Sequence, residues 1–168
     1  ALLNALDLEC KTCLMPHQVH GTNVYTVAVG QSDYAAVRTE IEQGVDALIV
    51  EPSQVAALLC FADCVPVIIV SPSSVFAVVH AGWKGLVAGI VKKTFRLMME
   101  ADRTKGFSFS PKDYNVYIGA YIHAECFETG EDVRLAFAEA FGTDCVKDAS
   151  HVDLGKALRL SLEGEGAD

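Results

Sequence analysis

The sequence is short of basic residues and has no long hydrophobic run. It contains 13 lysines and arginines against 22 aspartates and glutamates, which gives a net charge of −9. Such a surface repels phosphates, so we expect binding neither to nucleic acid nor to an anionic membrane. The apolar stretches are interrupted by Asp63, Pro66 and Pro72, and none approaches the ~20 residues of a membrane span. The first residues lack the basic and apolar regions of a signal peptide, so none is expected.

Internal repeats and low-complexity tracts are also missing. The 168 residues include one tryptophan and five histidines; 51% of them are apolar and 21% charged. This composition is typical of a globular chain rather than a disordered one. The length is enough for one domain with a real core, so we expect a single domain over residues 1–168.

The chain has six cysteines: Cys10, Cys13, Cys60, Cys64, Cys126 and Cys145. A chain of this length and hydrophobicity does not need a disulfide framework for stability, so we expect reduced thiols and a cytoplasmic location. Cys10 and Cys13 have the spacing of a metal or redox pair. No second pair accompanies them, and two small, partly buried residues are the commoner outcome.

The apolar pattern predicts strands first and most helices later. Runs rich in β-branched residues predict strands at 22–29, 45–50, 55–62, 66–71, 75–80 and 114–119. Helical spacing predicts helices over Leu86–Ala101, Glu131–Phe141 and Val152–Leu162, and residues 33–43 suit a helix or an excursion between strands. A loop is expected at 102–112 and a frayed acidic tail at 163–168. This order favours an α+β domain built in layers over a regular βαβ fold.

Three candidate metal ligands lie near the ends of predicted strands. His80 ends an apolar run and is followed by the glycine-bracketed turn Gly82–Gly85, where a helical pattern begins. His20 precedes the first predicted strand, and Cys64 lies between two apolar runs. In α/β proteins, strand ends present the groups that contact ligands. Two imidazoles and one thiolate form a catalytic zinc ligand set that leaves a fourth position for water or substrate, and zinc lowers the pKa of such a water to about 7.

The same residues suit other roles. Cys64 and His80 form a nucleophile and base in a metal-free reading, with Asp63 or another polar group orienting them. In the simplest interpretation, His80 is a structural histidine whose ring is hydrogen-bonded at a strand end, and Cys64 is a small core residue. Asp63 and Cys64 point to opposite faces of an extended backbone, so Asp63 either orients a histidine or caps a turn. Trp83 either stacks on a planar substrate or seals the domain.

Four motifs occur in the order and spacing of one family. They are Gln18-Val-His20-Gly21, Phe61-Ala-Asp63-Cys64-Val-Pro66, His80-Ala-Gly-Trp-Lys-Gly85, and Tyr117-Ile-Gly119 through Cys126-Phe-Glu-Thr-Gly130. Through residues 15–162 the chain thereby resembles the bacterial multicopper polyphenol oxidoreductases, or laccase-like domain proteins. That family was later recognised as purine nucleoside phosphorylases that also deaminate adenosine.

The resemblance implies a layered α/β/β/α-like fold with mixed β-sheets, related to the catalytic domain of cytotoxic necrotizing factor toxins. It implies a catalytic metal site, most often assigned to zinc, at His20, Cys64 and His80. It also implies phosphorolysis of adenosine, inosine and methylthioadenosine to the base and a ribose 1-phosphate, with adenosine deamination as a side activity. A purine nucleoside and phosphate are then the expected partners. The older copper-oxidase label, and with it Cu²⁺, fits five scattered histidines poorly.

Phosphorolysis also needs an anion site. Backbone N–H groups at the start of the predicted helix, with a lysine nearby, suit phosphate; the residues concerned are Gly82, Trp83, Lys84 and Gly85. The segment 118–130 is expected to border the metal pocket without ligating the metal, because a fourth ligand such as His123 would close the coordination sphere. The ligand atoms of a shared zinc ion are expected about 3–4 Å apart.

The chain departs from the family pattern at several points. Lys84 stands where arginine is commoner, which keeps the charge but loses the bidentate fork, and Ala120 stands where a proline is usual. Family members usually run some tens of residues longer at both ends, and we expect this chain to lack those segments. Three other functions stay open here: a cysteine hydrolase or amidase using Cys64 and His80, a copper-dependent polyphenol oxidase, and a metal-binding protein without catalysis.

Overall fold

The computed structural model of the protein describes residues 12–167. The strands of this part are β1 (Thr12–Leu14), β2 (Val24–Val27), β3 (Ala47–Val50), β4 (Val55–Ala57), β5 (Val65–Val70), β6 (Phe76–Ala81) and β7 (Asn115–Ile118). Its α-helices are α1 (Tyr34–Ile41), α2 (Trp83–Val87), α3 (Ile90–Thr104), α4 (Glu131–Phe141) and α5 (Leu154–Glu163). None of these helices combines the length and the apolar character that crossing a bilayer requires.

The strands form two sheets, and the larger contains strands of mixed direction. The larger has the order β2-β3-β6-β5-β7; β2 runs parallel to β3, and the other neighbouring pairs are antiparallel. The smaller sheet is the parallel pair β1 and β4. Helices and mixed sheets together confirm the α+β class that the order of elements predicted.

Two hydrophobic cores cover opposite faces of the larger sheet. Alternate residues of β3 divide between them, with Ala47 and Ile49 in one core and Leu48 and Val50 in the other, as the period of a strand requires. The first core holds the inner faces of α2, α3, α4 and α5, and the second holds α1 with β1 and β4. All of β3 is buried, and so is Asp46, the residue that precedes it.

The predicted helix from Leu86 to Ala101 is in fact two helices. Gly89 separates them with φ = 85°, a left-handed conformation that glycine adopts without steric cost. The short α2 is therefore an element of its own, and its N-cap residue Gly82 directly follows the last residue of β6. This places the first turn of α2 at the strand end that carries His80.

Two other predicted elements had wrong boundaries, and the prediction of a frayed tail was also wrong. The strand predicted at 55–62 ends at Ala57, and the helix predicted to stop at Ala101 continues to Thr104. The tail does not fray through its described part, because Arg96 donates to both carboxylate oxygens of Glu165 at 2.7 and 2.8 Å. Ala167 is only 3% exposed.

Asp102 explains why α3 extends into the predicted loop. This buried carboxylate accepts hydrogen bonds at 2.6 Å from each of three hydroxyls, those of Ser71, Ser73 and Tyr114. Burial alone would raise the pKa of Asp102, but the three hydrogen bonds outweigh it and hold the pKa below its ordinary value. The network ties the turn between β5 and β6 to α3.

We predict that Asp102→Asn lowers the free energy of unfolding by about 2–3 kcal/mol at pH 7, the scale of buried hydrogen bonds to a charged group. Because the folded pKa is depressed, the carboxylate stabilises the fold above its unfolded pKa of about 3.9 and loses that contribution as the pH falls below it. The gap between variant and wild type should therefore narrow in acid.

Urea denaturation at several pH values measures this gap. The matched control is Asp144→Asn, because the Asp144 side chain is 82% exposed and should leave stability almost unchanged. A gap that stays constant down to pH 3, or one no larger than that of the control, would contradict the role assigned to Asp102.

Candidate metal centre

The structure brings together the three residues that the sequence offered as metal ligands. The ligand atoms of His20, Cys64 and His80 all lie within 4.8 Å of one another. This spread is wider than the 3–4 Å expected around bound zinc and close to the roughly 4.6 Å that separates two atoms on opposite sides of one ion, so the ligand atoms would have to move slightly closer together to share zinc. Within residues 12–167, this is the one cluster of His, Cys, Asp or Glu side chains that could hold a metal ion.

His80 is buried and oriented by a carboxylate. It is 4% exposed, and its Nδ1 lies 2.9 Å from Oδ1 of Asp46. Its backbone N–H also donates to the carbonyl of Asp46 at 2.7 Å. A ring whose Nδ1–H faces a carboxylate leaves Nε2 as the nitrogen with a free lone pair, which is the usual arrangement of a metal-binding histidine. The ring of His20 stands edge-on to it, with 4.7 Å between centroids.

Asp46 also fixes the loop that carries the other histidine. Its two carboxylate oxygens accept the backbone N–H groups of Val19, His20 and Gly21 at 2.7 to 3.3 Å. The side chain has no solvent exposure, and all of its hydrogen bonds are to donors. One buried carboxylate therefore sets the positions of two candidate ligands that are 60 residues apart in the chain.

Sequence reasoning missed this residue and offered Asp63 either as the carboxylate that orients a histidine or as a turn cap. Asp63 is exposed, and its backbone carbonyl accepts from the Ile122 N–H at 3.0 Å. The available signal was the position of Asp46 inside the apolar run from Val45 to Val50. An acidic residue buried within such a run requires several hydrogen-bond donors, and such a residue marks either a site or a structural network.

His20 has an unusual backbone conformation. Its φ is 60°, in the left-handed region that few residues other than glycine adopt. The hydrogen bonds from the N–H groups of His20 and Gly21 to Asp46 stabilise the turn. The imidazole, by contrast, lies at the exposed rim of the cluster, so a ligand bound between the two histidines would face solvent on this side.

Cys64 is half-buried and immediately precedes β5. Burial raises the pKa of its thiol, and the nearby carboxylates of Asp63 and Asp46 raise it further. Catalytic cysteines have a lowered pKa instead, so this environment disfavours a metal-free Cys64–His80 nucleophile. A bound cation reverses the balance, because a coordinating thiol loses its proton.

The turn offered as a phosphate site packs against the cluster. A methyl group on Gly82 would come within 3.0 Å of both Sγ of Cys64 and Cδ2 of His20, and one on Gly85 within 3.0 Å of the Gly21 carbonyl. Glycine at these two positions thus lets α2 approach the candidate ligands closely. Lys84 is exposed, with its Nζ 5.6 Å from the Trp83 ring centroid, and Trp83 is partly buried against the larger core.

The segment after β7 runs beside the entrance to β5. The Gly119 N–H donates to the Pro66 carbonyl at 2.9 Å, which places this segment next to the strand that follows Cys64. His123 is exposed and stacks on Tyr121 with 4.8 Å between centroids; it does not join the ligand cluster. Cys126 is exposed rather than packed in the core. Beside this segment is a polar pocket of about 230 Å³ lined by Tyr121, His123, Ala124, Glu125, Asp153 and Arg159.

The charge around the cluster fits a divalent cation. Asp46 accepts hydrogen bonds only, and within the described residues its one ion-pair partner is His80, which is neutral when it binds a metal through Nε2. A thiolate at Cys64 adds a second negative charge. The thiolate forms only beside a cation, and one divalent ion would then neutralise both it and the buried carboxylate of Asp46.

Comparison with known proteins shows which proteins this chain is similar to. The family model described as multi-copper polyphenol oxidoreductase laccase matches residues 1–168. A protein of Bacteroides thetaiotaomicron named purine nucleoside phosphorylase is 35% identical over 171 residues, which cover 96% of this chain and 61% of that protein. One named adenosine deaminase RL5, from an unknown prokaryotic organism, is 30% identical over 173 residues, or 96% of this chain and 63% of that protein.

The fold is also found in a solved structure. The crystal structure of YlmD from Geobacillus stearothermophilus superposes with a TM-score of 0.79 at 26% identity, covering 98% of this chain and 63% of that one. The chain therefore spans less than two thirds of the length of these relatives.

We predict that Asp46→Asn weakens divalent-metal binding about 10–100-fold, the usual effect of removing the partner of a ligating histidine. The amide NH₂ would face backbone N–H groups that need an acceptor, so the metal-free protein should also lose about 1–3 kcal/mol of stability. Competition with a chromogenic chelator measures the affinity. The control is Asp63→Asn, which removes the exposed neighbouring charge; equal affinities for the two variants would contradict the role of Asp46.

Proposed function

We propose that this chain, which belongs to the multi-copper polyphenol oxidoreductase laccase family, carries the metal centre of a zinc-dependent purine nucleoside phosphorylase. Its substrates are adenosine, inosine and methylthioadenosine, with adenosine deamination as a side activity. The observation that carries the proposal is the convergence of His20, Cys64 and His80 around one point. Relatives named purine nucleoside phosphorylase and adenosine deaminase support the reaction class.

Zinc suits the cluster better than copper does. Two imidazoles and a thiolate with one position left open form a catalytic zinc set, and a divalent ion balances the charges of Asp46 and Cys64. Multicopper oxidation needs several clustered histidines, whereas the other described histidines have separate partners. These are His17 with the Glu42 carbonyl, His123 with the Tyr121 ring and His151 with Asp148.

In phosphorolysis, a phosphate oxygen forms a bond to C1′ of the ribose while the bond from C1′ to the purine nitrogen breaks. The electron pair leaves with the base, which must be protonated or stabilised as an anion. Lys84 supplies a positive charge for the phosphate. The first amide bonded within α2 is that of Leu86, to the Gly82 carbonyl at 2.9 Å, so the amides of Trp83, Lys84 and Gly85 are the donors a helix start leaves free.

The remaining residues of the site position the candidate ligands and enclose one side of the metal centre. Asp46 keeps Nε2 of His80 and the loop of His20 turned toward one point, while Phe61 closes one side with its ring 5.7 Å from that of His80. The exposed His20 edge leaves an approach for the nucleoside. A divalent ion bound there would supply a Lewis acid and a water of lowered pKa, which is the chemistry that purine deamination requires.

The test is incubation of the purified, metal-loaded protein with inosine and inorganic phosphate. We predict hypoxanthine and ribose 1-phosphate in equal amounts, formed only when phosphate is present, with activity lost on chelation and restored by zinc. Base release that does not depend on phosphate would contradict phosphorolysis. Stoichiometric zinc without turnover of any nucleoside would show that this chain binds metal without completing the active site.

A variant separates this mechanism from a cysteine hydrolase. Cys64→Ala should abolish both metal binding and phosphorolysis while costing only about 1–2 kcal/mol of stability. The matched control is Cys60→Ala, which removes an exposed thiol from the same segment and should keep full activity. Activity that survives chelation but is lost on alkylation of Cys64 would favour the hydrolase. Oxidation of phenols with stoichiometric copper would favour the polyphenol oxidase.

A further inference from the structure

We propose that Gln18 is a positioning residue that holds the Cys64 side of the metal centre against the His20 side. The inference rests on the proposed metal centre and adds a residue that the ligand set and its carboxylate do not include. Gln18 lies two residues before His20. It does not reach the ligand cluster, so it acts through the backbone of the neighbouring segment.

The Gln18 side chain binds the backbone of Cys60 at both ends of its amide. Its Nε2 donates to the Cys60 carbonyl at 2.8 Å, and the Cys60 N–H donates to its Oε1 at 2.7 Å. These residues are 42 positions apart in the chain. A side-chain amide bonded in this reciprocal way replaces one step of a β-ladder, and it fixes both the distance and the register of the two segments.

The segment held in this way has few other hydrogen bonds, and its remaining support is apolar, from Leu59 in the second core. Residues 58–64 lie between β4 and β5 and contain no strand or helix. Besides the two bonds to Gln18, the described backbone hydrogen bonds of this segment are one from the Leu58 N–H to Leu14 and one to the Asp63 carbonyl from Ile122. The middle of the segment therefore depends on Gln18 for its polar contacts.

The segment 58–64 contributes two side chains to the metal centre, those of Phe61 and Cys64. Phe61 follows the clamped residue and places its ring 5.7 Å from His80, and it packs against the smaller core. Cys64 is held by β5 on its C-terminal side, where Val65 pairs with Ala81. On its N-terminal side it depends on the clamped segment.

The Gln18 amide therefore preorganises residues 58–64 for metal binding. Without the Gln18 amide, residues 58–64 would sample more conformations in the metal-free protein, and metal binding would have to order them. That ordering cost would appear as a lower affinity for the metal. Gln18 thus ties the first two motifs of the sequence together: the Gln-Val-His-Gly segment supplies one ligand and also holds the segment that supplies the second.

The experiment compares the full chain with three variants. Gln18→Met keeps the length of the side chain without either hydrogen bond, and Gln18→Glu keeps an acceptor for the Cys60 N–H but loses the donor. Gln43→Met is the control, because Gln43 is exposed and its side chain takes part in no hydrogen bond of the described residues. Hydrogen exchange by mass spectrometry on the metal-free proteins follows residues 58–64, and chelator competition gives the zinc affinity.

We expect Gln18→Met to raise the exchange rate of the Cys60 amide, within residues 58–64, at least tenfold while the strands of the large sheet stay protected, and to weaken zinc binding about tenfold, the scale of one or two lost neutral hydrogen bonds. Gln18→Glu should fall between it and the wild type. With Co²⁺ as the probe, the thiolate-to-cobalt charge-transfer absorption should weaken at limiting metal in Gln18→Met. This absorption reports on Cys64 directly, and a general loss of stability would not change it selectively.

Unchanged exchange in residues 58–64, or a zinc affinity equal to that of the Gln43→Met control, would overturn the role of Gln18. Faster exchange over the whole chain with unchanged affinity would assign Gln18 to stability alone and would overturn it as well. Failure of the wild type to bind zinc contradicts the proposed function instead. The exchange of the metal-free proteins still decides in that case whether Gln18 holds the segment.

Discussion

The carboxylate of Asp46 is the interaction on which the candidate centre depends. It is fully buried, it faces Nδ1 of His80, and it accepts three successive backbone N–H groups from the loop of His20. An ionised group in this position is tolerable only because every one of its contacts is a donor. The same contacts hold His20 in a left-handed conformation, so the ligand loop depends on this carboxylate for its shape.

The rest of the fold places Asp46 where it can do this. It precedes β3, the strand buried on both faces between the two cores, and β6 lies beside β3 with His80 near its end. On the far side of β6, β5 begins just after Cys64. Gly82 then allows α2 to approach without a clash. Three adjacent strands and one glycine therefore bring together groups that are distant in the chain.

Most of the strands and helices could be predicted from the sequence. Each of the six strands predicted over described residues exists, because β-branched runs bounded by proline and glycine are strong local signals, and α4 was predicted with the observed bounds. Local patterns did not reveal the break at Gly89 or the continuation of α3 to Thr104. The break depends on a left-handed glycine and the continuation on hydrogen bonds from distant hydroxyls to Asp102, and neither leaves a periodic signal.

The candidate ligands were identified from strand ends and family motifs. The two residues that hold the ligand segments in place were not. In the sequence, Asp46 is one acidic residue within an apolar run, and Gln18 belongs to a motif in which no separate role was assigned to it. Both act on residues at least 25 positions away, and such pairings are set by topology rather than by neighbours in sequence. The Cys10–Cys13 pair extends outside the described residues, so its role stays a prediction.

X-ray absorption at the metal edge of the purified, zinc-loaded protein tests the central claim most directly. The account predicts one zinc per chain with one sulfur at about 2.3 Å, two imidazole nitrogens at about 2.0–2.1 Å and one further light atom in the open position. A zinc shell without sulfur, a shell with two sulfurs, or no bound metal after loading would contradict a centre built from His20, Cys64 and His80.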